Sequence, residues 1–159
     1  MKKLFLLSLT IFGFSFLASA QEISPNAIGL RLGDSDGLGA EISYQHALGD
    51  NNRLELDFGW RDGNNYNAFK LTGLYQWVFP LDDAFNWYVG AGGGIASFDG
   101  KNALNGDSET ALFAAGDIGI EYSFDIPLQL SLDFRPELGF GKFTDDLDFD
   151  IAFGIRYQF

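Results

Sequence analysis

One histidine and no cysteine leave this 159-residue chain few groups for covalent or metal chemistry. A hydroxyl nucleophile needs a base within hydrogen-bond reach, and the only imidazole is His46. The nearest serine, Ser43, lies at an odd spacing from it, which places the two side chains on opposite faces of an extended segment. Zinc sets of His and Cys are absent. The "GAGGG" run at Gly90–Gly94 precedes no helical pattern, so it is not a phosphate loop. What recurs instead is charge at two-residue spacing: Glu55 and Asp57; Asp133, Arg135 and Glu137. Such spacing on a strand aligns ions along one face, where carboxylates and guanidinium groups form ion pairs. A second acidic set, Asp34, Asp36, Asp62, Asp99, Asp107, Glu109, Asp145, Asp146 and Asp148, falls between the periodic segments and outnumbers Lys101 and Lys142. Oxygen ligands there could take divalent cations or a cationic extracellular ligand, but no EF-hand-like spacing exists, and solvated loops are the simpler expectation.

The segments that position these charges are strands. After residue 20 no helical period is sustained; apolar and polar residues alternate between turn clusters of Gly, Asn and Asp. The pattern predicts eight strands, at about Ala27–Gly33, Gly39–Leu48, Arg53–Arg61, Ala68–Phe79, Asn86–Phe98, Thr110–Phe124, Leu128–Gly141 and Phe149–Phe159. Most have the ~9–11 residues that a tilted strand needs to cross a bilayer. Pro136 interrupts one of them and lacks an N–H, which predicts a bulge or local break. Gly73 and Gly93 are expected to point outward and mark bends.

The first twenty residues are of another kind. Lys2 and Lys3 precede an apolar run from Leu4 to Leu17, and Ala18-Ser19-Ala20 is an A-x-A site. This predicts a cleaved signal peptide over 1–20, with one barrel domain over 21–159. Gln21 stands where a lipoprotein would need Cys. The formal charge of −12 becomes still more negative once both lysines are lost, which argues against nucleic acid as a partner.

Sorted by parity, one strand face is bulky and apolar and the other carries glycine, short polar residues and ions. The second face holds Arg31, Arg53, Arg61, Lys70, Arg135 and Arg156 against Glu41, Glu55, Asp57, Asp117, Glu121, Asp133, Glu137 and Asp150. An eight-stranded barrel has an interior just wide enough for side chains to fill. The large apolar set, with its many aromatics, would overcrowd it; glycine and near-balanced ions would not. The fold class predicted is therefore all-β, an eight-stranded antiparallel up-and-down transmembrane β-barrel, apolar face to lipid and an ion-pair network in the lumen. A soluble ligand-binding barrel is the competing architecture.

Turn lengths orient it. With both termini in the periplasm, the longest connection falls outside and the inner turns are compact. Tyr44, Trp77, Phe79, Trp87, Tyr122 and Phe124 then gather at one rim and Trp60 at the other, as an aromatic girdle.

On these residues the chain resembles the small eight-stranded outer-membrane barrels of Gram-negative bacteria, of the OmpX and OmpA-transmembrane type, over about 27–159. The most specific part is the closing "IAFGIRYQF". The resemblance implies that Ile151, Phe153, Ile155, Tyr157 and Phe159 form the signal read by the outer-membrane assembly machinery. It also implies outer-membrane lipids as the surroundings and no cofactor. The function expected is a non-enzymatic structural or surface-interaction role with a charge-filled, non-conducting lumen. The alternatives are a lipid-modifying enzyme, for which His46 is misplaced, and a narrow channel beside the Gly90, Gly92, Gly94 row, unless long neighbours such as Arg31 or Arg135 fill it.

Overall fold

The computed structural model describes residues 23–33, 39–62, 66–100, 108–140 and 147–159, and only the backbone at 61, 62, 66, 98–100, 108 and 109. The expected signal peptide and most of the acidic loop residues lie outside that range. Eight strands follow one another: β1 (Asn26–Leu32), β2 (Glu41–Ala47), β3 (Asn52–Asp62), β4 (Tyr66–Pro80), β5 (Phe85–Gly100), β6 (Ser108–Ser123), β7 (Leu128–Phe140) and β8 (Leu147–Gln158). Each pairs antiparallel with the next, and β8 returns to β1 to close the barrel. Leu30 lies opposite Ile155 and Ile28 opposite Tyr157. Beyond them the backbones of Asn26 and Phe159 exchange two hydrogen bonds, of 3.1 and 2.9 Å. Closure matters because lipid offers no partner to a free N–H or C=O, and a closed ladder has no edge.

The strands lean. Following cross-strand partners from Ala27 through Gln45, Glu55, Leu74, Gly92, Ala115 and Glu137 to Asp148 makes one circuit. It begins at the end where β1 starts and β8 finishes, and ends near the opposite one. Tilt and stagger of this kind are what close a sheet. We call the first end the turn end and the other the loop end. At the turn end three chain reversals share one hydrogen-bond pattern: Leu48 N–H to Asn52 O, Leu81 N–H to Phe85 O and Phe124 N–H to Leu128 O, at 2.8 to 3.0 Å.

Strand centres agree with the alternation, while ends differ. β4, β5 and β6 run further toward the loop end than the apolar pattern, through pairs such as Asn67 with Asp99 and Asp99 with Ser108. There the ladder continues on backbone hydrogen bonds with no apolar face to mark it. β2 is shorter than expected, as Gly39, Ala40 and Leu48 lie outside the ladder.

Pro136 produces a break and no bulge. On the β8 side it pairs regularly with Phe149. On the β6 side the pairs of Gly116 and Asp117 with Pro136 and Arg135 are missing, yet Ala115 with Glu137 and Ile118 with Phe134 keep one register. A bulge would have shifted it. Gly116 faces the ring, and a Cβ there would come within 3.3 Å of Pro136 Cγ.

Large apolar side chains point outward: Leu132 is 54% exposed and Ile151 64%, while their neighbours Asp133 and Asp150 are 3% and 1% exposed. The outer face is thus the apolar one. Leu132→Arg, near the middle of β7, is expected to cost about 2–4 kcal/mol in urea unfolding from lipid vesicles. On the wet surface of a soluble fold the same change would cost within about 0.5 kcal/mol.

Candidate functional site in the barrel lumen

The lumen is where this chain concentrates charge. Arg31 on β1 holds three carboxylates at once: Glu41 at 3.0 Å, Asp150 at 2.5 Å and Asp133, which accepts from both Nε and Nη2. Arg135 on β7 reaches across to β3, to Asp57 at 2.5 Å and Glu55 at 3.3 Å, and touches Glu41 at 3.4 Å. Arg156 on β8 donates to Glu55 at 3.2 Å and to the hydroxyls of Ser43 and Ser131 at 2.9 and 2.7 Å. Glu41 and Glu55 each serve two arginines, so the three guanidinium groups form one continuous network. These arginines are 0–1% exposed. Charges so far from water persist only when paired and hydrogen-bonded.

Two smaller groups complete the set. Arg53 pairs with Glu121 at 2.7 Å, donates to Gln76 at 2.6 Å and lies 4.7 Å over the Tyr88 ring. Gln76 in turn donates to Asp117. Lys70 pairs with Glu137 at 2.6 Å and sits 5.1 Å over the Phe113 ring. Of the fourteen charged lumen residues expected from parity, thirteen are buried together. The side chain of Arg61 lies outside the described residues.

The lumen also holds an apolar filling that parity alone did not single out. Leu74, Ala96, Phe113 and Ala115 form one cluster, and Val78 and Tyr88 another. They hide in stretches that are apolar on both faces, such as "LYQWV". The signal that finds them is the parity of flanking Thr72 and Gln76. Ile23 joins the second cluster. The segment ahead of β1 therefore runs from the β8–β1–β2 wall to β4 and β5 on the far side, across the turn-end mouth. Pro25 O fastens it by accepting the Ala47 N–H at 2.9 Å.

Glycines give the long chains their room. A Cβ at Gly154 would meet Arg156 Nη1 at 2.6 Å, one at Gly119 would meet the Tyr88 hydroxyl at 2.5 Å, and one at Gly94 would meet Phe113 Cζ at 2.6 Å. Along the Gly90–Gly94 row, side chains stand against Gly90 and Gly94, while Gly92 meets only the backbone of Gly73 and Leu74. The groups against Gly90 and Gly94 are Gln76 and Phe113, not Arg31 or Arg135 as the sequence led us to expect.

Outside the lumen, His46 is exposed, 2.9 Å from Asn26 Oδ1, which also accepts the Tyr44 hydroxyl at 2.8 Å. Ser43 points inward to Arg156, so the two never meet. At the turn end, Phe79 stacks on Trp87 and Tyr122 makes edge contacts with Phe85 and Phe124, all at 4.6 Å between centroids. Trp77 lies edge-on to Tyr75 at 4.9 Å. Trp60, on β3 toward the loop end, is 67% exposed. Ile151, Phe153, Ile155, Tyr157 and Phe159 all face outward along and just beyond β8.

With the barrel and its lumen described, comparison with known proteins is direct. A family model for the outer membrane protein beta-barrel domain matches residues 6–159. The chain belongs to that family. Among solved structures, the N-terminal β-barrel domain of Pseudomonas aeruginosa OprF is similar at a TM-score of 0.68, with 14% identity over 84% of this chain and 96% of that one. Neisserial surface protein A (NspA) is similar at 0.57, with 15% identity over 84% and 94%. Ail, the attachment invasion locus protein of Yersinia pestis, is similar at 0.57, with 15% identity over 86% and 97%. At these identities the likeness is one of fold. No curated protein sequence matches. This outer-membrane barrel is thus a bacterial envelope protein whose lumen chemistry must be read from its own residues.

Removing one partner of a buried network leaves the others uncompensated. Arg135→Ala is expected to lower unfolding stability in lipid vesicles by about 3–5 kcal/mol. Adding Asp57→Asn to it should recover part of that loss, a non-additivity that a double-mutant cycle in urea titration reads directly.

Proposed function

We propose that this outer-membrane barrel is a non-enzymatic structural or surface-interaction protein with a sealed lumen. The observation that carries this is the cross-lumen network of Arg31, Arg135 and Arg156, which ties opposite walls together and leaves glycine-sized recesses already filled by Arg156, Tyr88 and Phe113. An ion crossing it would have to break several buried pairs, each made in surroundings where water cannot replace them. The environment of His46 supports the non-catalytic part. It is bound to Asn26 on the outer surface, and Ser43 is held by Arg156 on the other side of the sheet.

In this reading the leader over 1–20 is removed on export, and the turn end faces the periplasm. The loops with Asp34, Asp36, Asp145 and Asp146 face outward, open to a cationic partner or divalent ions. Ile151, Phe153, Ile155, Tyr157 and Phe159 present the assembly signal on the lipid face of the closing strand. Tyr44, Trp77, Phe79, Trp87, Tyr122 and Phe124 form the inner girdle, Trp60 part of the outer one.

Planar-bilayer recording on the refolded protein is expected to give no stable conductance steps. Defined steps at physiological salt would overturn the sealed lumen. Outer-membrane fractionation should recover the chain as a form that migrates differently on gels before and after boiling.

A further inference from the structure

The turn end of the lumen opens into a cavity of about 250 Å³. Its polar lining includes Asn86, Glu121, Ser123 and Gln129, and its apolar walls are Ile23 and Phe124. Gln129 is 3% exposed, and its Oε1 is buried with no hydrogen-bond partner. Glu121 is 1% exposed. Its Oε1 accepts from Asn86 at 3.2 Å, and its Oε2 is held at 2.7 Å by Arg53, which is not part of the cavity lining. A carboxylate accepts up to about four hydrogen bonds, so Glu121 keeps acceptor capacity. The cavity wall therefore contains two acceptors just beneath its surface, an orphaned amide oxygen and a fixed carboxylate, which a donor reaches when the Gln129 side chain turns outward.

The rim has the same sign. Asp82 and Asp83 lie in the turn before β5, and Asp125 in the turn between β6 and β7, beside Phe124; all three are exposed. Among the described residues, the turn-end connections 48–51, 81–84 and 124–127 carry no lysine or arginine. A ligand drawn to this mouth is positive, and one that satisfies Gln129 Oε1 and Glu121 donates hydrogen bonds. A divalent metal fits poorly, because no group of three or more His, Cys, Asp or Glu able to hold one exists among the described residues. An alkylammonium fits on each count. Its N–H donors match Gln129 and Glu121, with Ser123, which already accepts from Gln158 at 3.3 Å, offering its remaining lone pair; its methylenes lie along Ile23, and Phe124 offers a ring to the cation.

We propose that the turn-end cavity is a binding site for a primary ammonium group, and that a linear aliphatic polyamine is its ligand class, one ammonium seated on Gln129 and Glu121 and a second at Asp82, Asp83 and Asp125. The site goes beyond the sealed-lumen reading and does not depend on which side of the membrane the turn end faces.

The full chain, refolded in zwitterionic detergent, is titrated calorimetrically with spermidine, propylammonium, choline and magnesium chloride. Spermidine is expected to saturate one site at submillimolar concentration and propylammonium more weakly. Choline, which has no N–H, should not bind. Gln129→Leu, shown folded by its heat-modifiable mobility, should weaken spermidine about tenfold through loss of one charge-assisted hydrogen bond. Asp82→Asn with Asp83→Asn and Asp125→Asn should weaken spermidine much more than propylammonium. Three outcomes would overturn the proposal: no saturable spermidine binding at millimolar concentration, equal affinity in folded Gln129→Leu, or choline or magnesium binding as tightly as spermidine.

Discussion

The constraint on which everything else rests is that a backbone in lipid has no water to bond with. The ladder must close, and eight strands that close enclose a space only as wide as the side chains that fill it. Ions on the inner face are then shut in with one another. The arginines and their acids pair because the fold removes every alternative. Buried pairs of this kind stabilise little compared with apolar packing of the same volume, though breaking one is costly. Their value here lies in where they hold the walls: Arg135 ties β7 to β3, and Arg31 ties β1 to β2, β7 and β8.

Much of this was legible in the residue pattern. Two-residue alternation fixed which face was apolar, and the volume of a small barrel decided that this face was the outer one. Turn composition placed the reversals, and Asp133, Arg135 and Glu137 declared their common side by spacing alone. What could not be read was reach. Register gives neighbours within the sheet, while a guanidinium on a long stem crosses the lumen to a strand several places away in the ladder. Nothing in the sequence says that Arg135 prefers Asp57 to Asp117, its neighbour in register. Rings were the other blind spot, since Tyr88 and Phe113 look like lipid-facing residues until their flanking parity is counted. Pro136 was legible as a disturbance but not as to kind: Gly116 yields space on one side, so the register survives and only two pairings are lost.

The two ends of the barrel differ in chemistry as well as length. Three reversals with one hydrogen-bond pattern make the turn end short, acidic and rigidly drawn. The segment from Ile23 to Pro25 crosses that mouth, so the lumen is narrowed there by the backbone ahead of β1 as well as by side chains. Its anchor, the paired Asn26 and Phe159, is also the last seam of the cylinder. Events that loosen closure at this seam would therefore loosen the strap across the mouth.

The recesses at Gly94, Gly119 and Gly154 carry a consequence for how such a lumen can drift. Each is bounded in part by one bulky side chain, at Gly94 together with the Leu71 carbonyl and at Gly154 together with the Ser131 hydroxyl, so neither member of a pair changes freely. A larger residue at 119 demands a smaller one at 88, and one at 154 would displace both Arg156 and the Ser131 hydroxyl. Divergence among barrels of this kind should therefore proceed by coupled exchanges between walls that are distant in the chain. Positions that look dispensable because they are glycine will covary with the largest side chains in the molecule.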